Sequence, residues 1–350
     1  MKHLIFLFLS LTFCGCQEKK DAPVSSIDFE HLMGKGLNAW QHVVTREDGE
    51  NYHFFKAIFE KNGALLKSSS CTEKIPKVLH FIWIGPNSFP KDSLVNLRSW
   101  IGKHPDWTIN FWTDRERPLP HPAMHKKFIN EITLMRLSQF YDKTDNFAEK
   151  SDLLRYEILF QYGGVYVDHD VKCFKAFDEM NKAYDLFCGL EVPFATPLSS
   201  SIFPTNNLIG ARSYHPIIAR CIDKVCERWD TVEKEYPGND RDAVINRIAH
   251  RTFSAFGESV KECQNQGDNK DIVFPAFFFN APKDHLAIYA RHEYKGTWFE
   301  NESKFEKSTR ERLMYLSKKV NKILLISVVF AVVNVLLFSL LLFLVRKRMF

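Results

Sequence analysis

The stretch Gly163-Gly164-Val165-Tyr166-Val167-Asp168-His169-Asp170 ends a short apolar run with two carboxylates one residue apart. Two negative charges held that close in a cleft raise each other's pKa unless a cation comes between them. A hard divalent ion removes the conflict. It takes carboxylate oxygen and keeps open positions for phosphate oxygens. The run reads as a strand delivering Asp168 and Asp170 to its carboxyl end. Strand alternation would project both to one side, with His169 opposite.

Upstream, NFAEKSDLLRYEILFQYGG carries a buried helical stripe of Ala148, Leu153, Tyr156, Leu159 and Phe160. Asp152 and Arg155 are three residues apart and share a helix face. Gly163 stops the helix. An Asp-x-Asp pair alone is common in surface turns. One that follows Asp-x-x-Arg, Gly-Gly and an apolar strand is a far more specific arrangement.

Before it, IPKVLHFIWIG from Ile75 to Gly85 is a continuous apolar run bounded by Pro76 and Gly85, the pattern of a buried strand. LVNLRSWIGKHP reads as a helix ended by Gly102 and Pro105, and WTINFWTD as a second strand. Strand, helix, strand predicts a parallel pair with a right-handed crossover. Ligands of such sheets bind beyond the carboxyl ends of the strands, which puts Trp83, Gly85 and Asp114 beside a crevice.

At this point the sequence resembles the glycosyltransferases with a DXD-containing sugar-binding region. That family includes the inositol-phosphoceramide mannosyltransferases, capsule sugar transferases and, more distantly, the large clostridial glucosylating toxins. The resemblance runs from about Ile75 to Trp298 through four ordered elements: IPKVLHFIWIG, SDLLRYEILFQYGGVYVDHDV, TNNLIGARSYHP and HEYKGTW. It implies an α/β fold of the GT-A type (Rossmann-like, for nucleotide-diphosphate sugars), a nucleotide-diphosphate sugar donor, Mn²⁺ or Mg²⁺ as cofactor, and retention at the anomeric carbon.

Carried over by residue, the resemblance implies that Trp83 stacks on the donor base and that Asp152 and Arg155 hold sugar hydroxyls. Tyr166 joins the donor site. Asp168 meets ribose or metal-bound water, Asp170 binds the metal, and either His292 or Glu293 is the further metal ligand. Asn207 lies near the transferred sugar, and Trp298 closes over the diphosphate. The chain has Thr297 where the family often has Ser, which keeps a hydroxyl. Glu191, in CGLEVP, is the candidate acceptor base.

Of the 350 residues, 45% are hydrophobic and 25% charged, as in a globular protein able to bury a full core. The net charge of +5 is mild, with no basic-aromatic repeat, so nucleic acid is not an expected partner. The eight cysteines form no C-x-x-C pair, which argues against a structural zinc site.

Both ends point to lipid. Residues 1–16 read as a signal or lipoprotein-like segment, with Lys2 before an apolar run from Leu4 to Phe13. Residues 17–73 read as a tether and helical extension with a packing role, and 74–303 as the transferase domain. Residues 304–322 form a basic juxtamembrane helix suited to anionic headgroups. Ile323 to Val345 is apolar except for Ser327, Asn334 and Ser339, long enough to cross a membrane, and a basic tail of 346–350 follows.

These features predict a protein anchored by a single carboxyl-terminal span, with the side of the membrane left open by lysines and arginines on both flanks. The expected activity is metal-dependent, retaining hexose transfer to a membrane-associated glycan or glycolipid. A toxin-like protein glycosyltransferase and an inactive, membrane-tethered nucleotide-sugar-binding module are the alternatives.

Overall fold

The structure, a computed structural model, describes residues 28–67, 72–132 and 136–295, and scattered positions between 316 and 337. The chain divides into two units, one ending at Lys295 and one beginning at Gly296, and the account that follows concerns the first.

Nine strands are described: β1 (Val78–Ile82), β2 (Thr108–Thr113), β3 (His125–Phe128), β4 (Gly164–Val167), β5 (Val171–Cys173), β6 (Leu186–Leu190), β7 (Pro204–Ala211), β8 (Asp271–Phe274) and β9 (Ala290–His292). Seven form one mixed sheet in the order β3-β2-β1-β4-β7-β6-β8, and β5 and β9 form a separate pair. β3, β2, β1 and β4 run parallel, while β7 is antiparallel to both β4 and β6. The expected parallel pair is β1 and β2, joined through the helix Leu94–Lys103.

β1, β4 and β6 are buried almost throughout, which explains their mostly apolar rather than alternating sequence, and β7 is buried along its whole length although it carries Thr205, Asn206 and Asn207. The helix Phe147–Tyr162 packs on the sheet and reverses into β4 through Gly163 (φ +63°) and Gly164 (φ +99°). A Cβ on Gly163 would lie 2.7 Å from the Ser213 nitrogen, and one on Gly164 2.7 Å from the Val78 oxygen, so neither position admits a side chain.

The expected helical extension is present as Phe29–Leu32, Arg46–Asn62 and short 3₁₀ turns. It is built into the same core as the sheet: Phe59 meets Phe274 and Phe278, and Asn62 Nδ2 donates to the Asp271 carbonyl at 2.7 Å. Asp48 pins the segment between β6 and β7. It accepts from the Ser201 amide at 2.6 Å and the Ser200 hydroxyl at 2.9 Å while capping its own helix from within the first turn.

The amino-terminal segment 1–16, the basic stretch 304–315 and the tail 346–350 lie outside the described residues. Most of the apolar run 323–345 does too. Among the described residues no helix is long and apolar enough to cross a membrane, so the transmembrane helix expected there is not found. The described piece, 326–335, is helical and exposed.

Candidate active site

The site forms where β4 ends. The strand stops at Val167, and Asp168, His169 and Asp170 make a turn instead of continuing it, closed by the Val171 N–H donating to the Asp168 carbonyl at 3.1 Å. The strand alternation expected for the two aspartates is therefore corrected to a turn. Turning, not pleating, sends both carboxylates to one place. Asp168 Oδ, Asp170 Oδ and a His292 ring nitrogen all lie within 4.8 Å of one another.

His292 reaches the aspartates because β9 pairs antiparallel with β5, setting His292 opposite Val171, the residue after Asp170. Its Nε2 lies 3.1 Å from Asp170 Oδ1. The other Asp170 oxygen accepts from the Lys295 amide at 2.9 Å, and its carbonyl accepts from the Glu293 amide at 2.9 Å.

Burial alone would raise the Asp170 carboxyl. The charge and hydrogen bond of His292, with His169 and the Lys295 amide, outweigh it and hold the carboxyl well below its usual range. His292 is pushed down by burial, but Asp170 prevails and its pKa ends above the ordinary value. Each member of the pair thus favours the charged form of the other. His292 Nδ1 has no hydrogen-bond partner among the described residues.

Glu293, the alternative ligand, turns elsewhere. Its carboxylate accepts from Asn96 Nδ2 at 2.9 Å and pairs with Lys295 at 3.1 Å and Arg291 at 3.3 Å.

The Asp152–Arg155 pair sits beside this cluster, on the buried face of its helix. Arg155 Nη2 is 2.7 Å from Asp152 Oδ1 and 3.3 Å from Asp168 Oδ1, and so bridges the helix to the turn. Arg155 Nη1 donates to the Asn206 carbonyl at 2.7 Å, and its guanidinium lies over the Tyr166 ring at 4.3 Å. Burial drives the Asp152 carboxyl upward, with Arg155 and the Thr252 hydroxyl pulling it back. Asp152 Oδ2 accepts from that hydroxyl at 2.6 Å, whereas Oδ1 has a close charge contact but no hydrogen-bond partner among the described residues.

Tyr166 donates its hydroxyl to Asp168 Oδ1. Asp168 is also fixed through its backbone, its N–H donating to the Asn207 carbonyl at 2.9 Å. Both ends of the Asn207 carboxamide are engaged. Nδ2 donates to Asn280 Oδ1 at 2.7 Å, and Oδ1 accepts from the Thr205 hydroxyl at 2.9 Å.

Trp83, at the end of β1, is half-buried and meets the His169 ring edge-on at 5.1 Å, so it lines the same crevice. Its neighbouring loop is braced by Asp114, which accepts from the Gly85 amide at 3.1 Å and pairs with Arg117 at 3.0 Å. Glu191 is buried just past β6, its carboxyl raised by burial and drawn back by His292 and the Tyr294 hydroxyl. Thr297 and Trp298 lie outside the described residues.

Thr252 and Asn280 were not legible as site residues. Each reaches its partner across a long sequence separation through one polar atom, and neither belongs to a motif.

Residues 90–187 match the profile of the glycosyltransferase sugar-binding region containing a DXD motif. Over 154 residues the chain is 29% identical to inositol phosphoceramide mannosyltransferase 3 of Schizosaccharomyces pombe, covering 44% of this chain and 38% of that one. It is also 29% identical over 237 residues to the uncharacterized glycosyltransferase L373 of Acanthamoeba polyphaga mimivirus, covering 64% of this chain and 84% of the viral one. The chain spans only part of the length of the fungal relatives it matches, 38% and 47% for two of them. Among solved structures, the PaToxG glycosyltransferase aligns with a TM-score of 0.43 at 16% identity over 61% of this chain and 78% of that one, too distant to inform the chemistry. Residues 90–187 are thus similar to a glycosyltransferase sugar-binding region containing a DXD motif, and Asp168-His169-Asp170 is an Asp-x-Asp within the matched stretch.

Proposed function

We propose that this protein transfers a hexose from a nucleotide-diphosphate sugar, with retention and with the help of a divalent cation, on a scaffold of the GT-A type. The observation that carries the reading is the convergence of Asp168, Asp170 and His292 ligand atoms within 4.8 Å, directly beside the buried Asp152–Arg155 pair. Two carboxylates and one imidazole fit a cation that accepts both oxygen and nitrogen. The imidazole favours Mn²⁺ over Mg²⁺, which prefers all-oxygen sites. Three protein ligands leave positions open for diphosphate oxygens. When bound, the ion supplies Lewis-acid stabilisation of the charge that develops on the leaving diphosphate.

The chain's own residues do the rest. Trp83 offers a half-buried ring to the donor base. Arg155, immobilised by four partners, presents fixed positive charge to the sugar end of the donor at no reorganisation cost. Asp152, whose Oδ1 lies 2.7 Å from Arg155 Nη2, holds that guanidinium toward the sugar hydroxyls. Asn207, with its carboxamide engaged, serves by holding Asp168 from the backbone. The acceptor hydroxyl approaches the face that the diphosphate leaves and gives its proton to a diphosphate oxygen, so retention needs no protein nucleophile.

The acceptor is a membrane-associated glycan or glycolipid. That reading draws on the name of the fungal relatives.

Incubating the full chain with GDP-mannose or UDP-glucose, Mn²⁺ and vesicles containing inositol phosphoceramide tests the reading. The expected result is metal-dependent release of nucleoside diphosphate and labelled lipid. Absence of both, with either donor, overturns it.

A further inference from the structure

The helix Arg241–Ile248 does not continue smoothly into the helix Ser254–Cys263. Between them Ala249–Phe253 form a π-helical turn, in which the Ser254 N–H reaches back to the Ala249 carbonyl. Such turns are rare, because they give up the better hydrogen-bond geometry of the α-helix. This one lies well beyond the stretch 90–187 that carries the sugar-binding region.

The turn makes three contacts with the helix that carries Asp152. Arg251 Nη1 is 3.2 Å from Glu149 Oε1. The Thr252 hydroxyl is 2.6 Å from Asp152 Oδ2. The Thr252 carbonyl accepts from the Tyr156 hydroxyl at 3.1 Å. Residues 149, 152 and 156 lie on one helix face. In a regular α-helix consecutive side chains diverge by about 100°. The wider π turn lets Arg251 and Thr252, neighbours in sequence, meet the same face of the opposite helix.

Arg251 makes the turn rigid. It is 2% exposed, lies over the Trp229 ring at 3.9 Å and pairs with Glu233 as well as Glu149.

The Thr252 hydroxyl has one proton and two acceptors in range, Asp152 Oδ2 at 2.6 Å and the Ile248 carbonyl at 2.8 Å. The carboxylate is the stronger acceptor. One oxygen of a fully buried carboxylate is thereby fixed, and the other lies 2.7 Å from Arg155 Nη2.

We propose that Thr252 is a positioning residue for the donor sugar: its hydroxyl, presented by the π-helical turn, sets the orientation of the Asp152 carboxylate and, through Oδ1 at 2.7 Å from Arg155 Nη2, of the guanidinium that meets the sugar. The proposal rests on the reading of the Asp152–Arg155 pair as the sugar-holding group. Without the hydroxyl, Asp152 Oδ2 is a buried acceptor with no donor, and the carboxylate turns to find one. The loss falls on sugar recognition. Recognition of the nucleotide and the diphosphate, built from Trp83 and the Asp168–Asp170 turn, is untouched.

The test measures, in Mn²⁺, the Kd of UDP-glucose against UDP and of GDP-mannose against GDP for the full chain and for Thr252→Val, Thr252→Ala and Thr252→Ser. Val and Ala lack the hydroxyl, and Ser keeps it. For the donor that binds, Val and Ala weaken nucleotide-sugar affinity about tenfold relative to the diphosphate alone, and Ser preserves the wild-type ratio. Should Val not fold, Ala and Ser still make the comparison. An unchanged ratio in Val and Ala, an equal loss of diphosphate affinity, or a Ser variant as impaired as Ala overturns the role of Thr252. Failure of the wild type to bind either pair overturns the reading of the site itself, and the proposal with it.

Discussion

Asp170 and His292 are 122 residues apart in sequence and 3.1 Å apart in the fold, joined because β9 pairs with the strand that begins one residue after Asp170. Asp170 is buried and His292 partly so, and each shifts the other toward its charged form. Were a divalent cation bound here, Asp168, Asp170 and His292 would hold it.

Asp170→Asn removes that charge while keeping shape. Mn²⁺ binding, measured by calorimetry, falls at least tenfold, and Mn²⁺-dependent donor hydrolysis falls about 100-fold or more. Wild-type turnover in the variant would remove Asp170 from the metal site.

His292→Ala and Glu293→Gln separate the two candidate ligands. The geometry predicts that His292→Ala lowers Mn²⁺ affinity about tenfold or more, whereas Glu293→Gln, whose carboxylate pairs with Asn96, Arg291 and Lys295, changes it less than threefold. The reverse order in a Mn²⁺ titration would place Glu293 at the ion.

Asp48 makes stability depend on pH. Burial would raise its carboxyl, but the amides of Thr45, Val44 and Ser201 and the Ser200 hydroxyl bring it from 3.8 down to about 2. A depressed carboxylate stabilises the fold above its unfolded value and loses that contribution as pH falls toward the folded value. Asp48→Asn therefore costs roughly 2 kcal/mol at neutral pH, and the difference from wild type shrinks between about pH 4 and pH 2. Denaturant melts at both pH values check it. A gap that stays constant with pH would show that the loss is not linked to ionisation.

Two glycines behave oppositely. Gly164→Ala forces a Cβ to within 2.7 Å of the Val78 oxygen at φ +99° and destabilises by about 3 kcal/mol or more. Gly49, inside the helix Arg46–Asn62 with open space around it, gains about 0.5–1 kcal/mol on substitution by Ala. Thermal melts of the two variants should move in opposite directions.

The sequence by itself determined the local pieces. The apolar run at Ile75, the helix ending at Gly163 and the acid pair after β4 were all legible, because burial on both faces of a strand, helical periodicity and glycine turns act over a few residues. Asp152 and Arg155 could be placed on one face for the same reason.

What only the tertiary structure decided was which distant group meets which. The pairing of β5 with β9 brought His292, rather than Glu293, to the aspartates. A turn, not strand alternation, aimed the two carboxylates together. A π-helical turn 100 residues downstream delivered Thr252 to Asp152. Such contacts arise from long-range packing and single hydrogen bonds, which leave no periodicity in the chain, so no local pattern could have announced them.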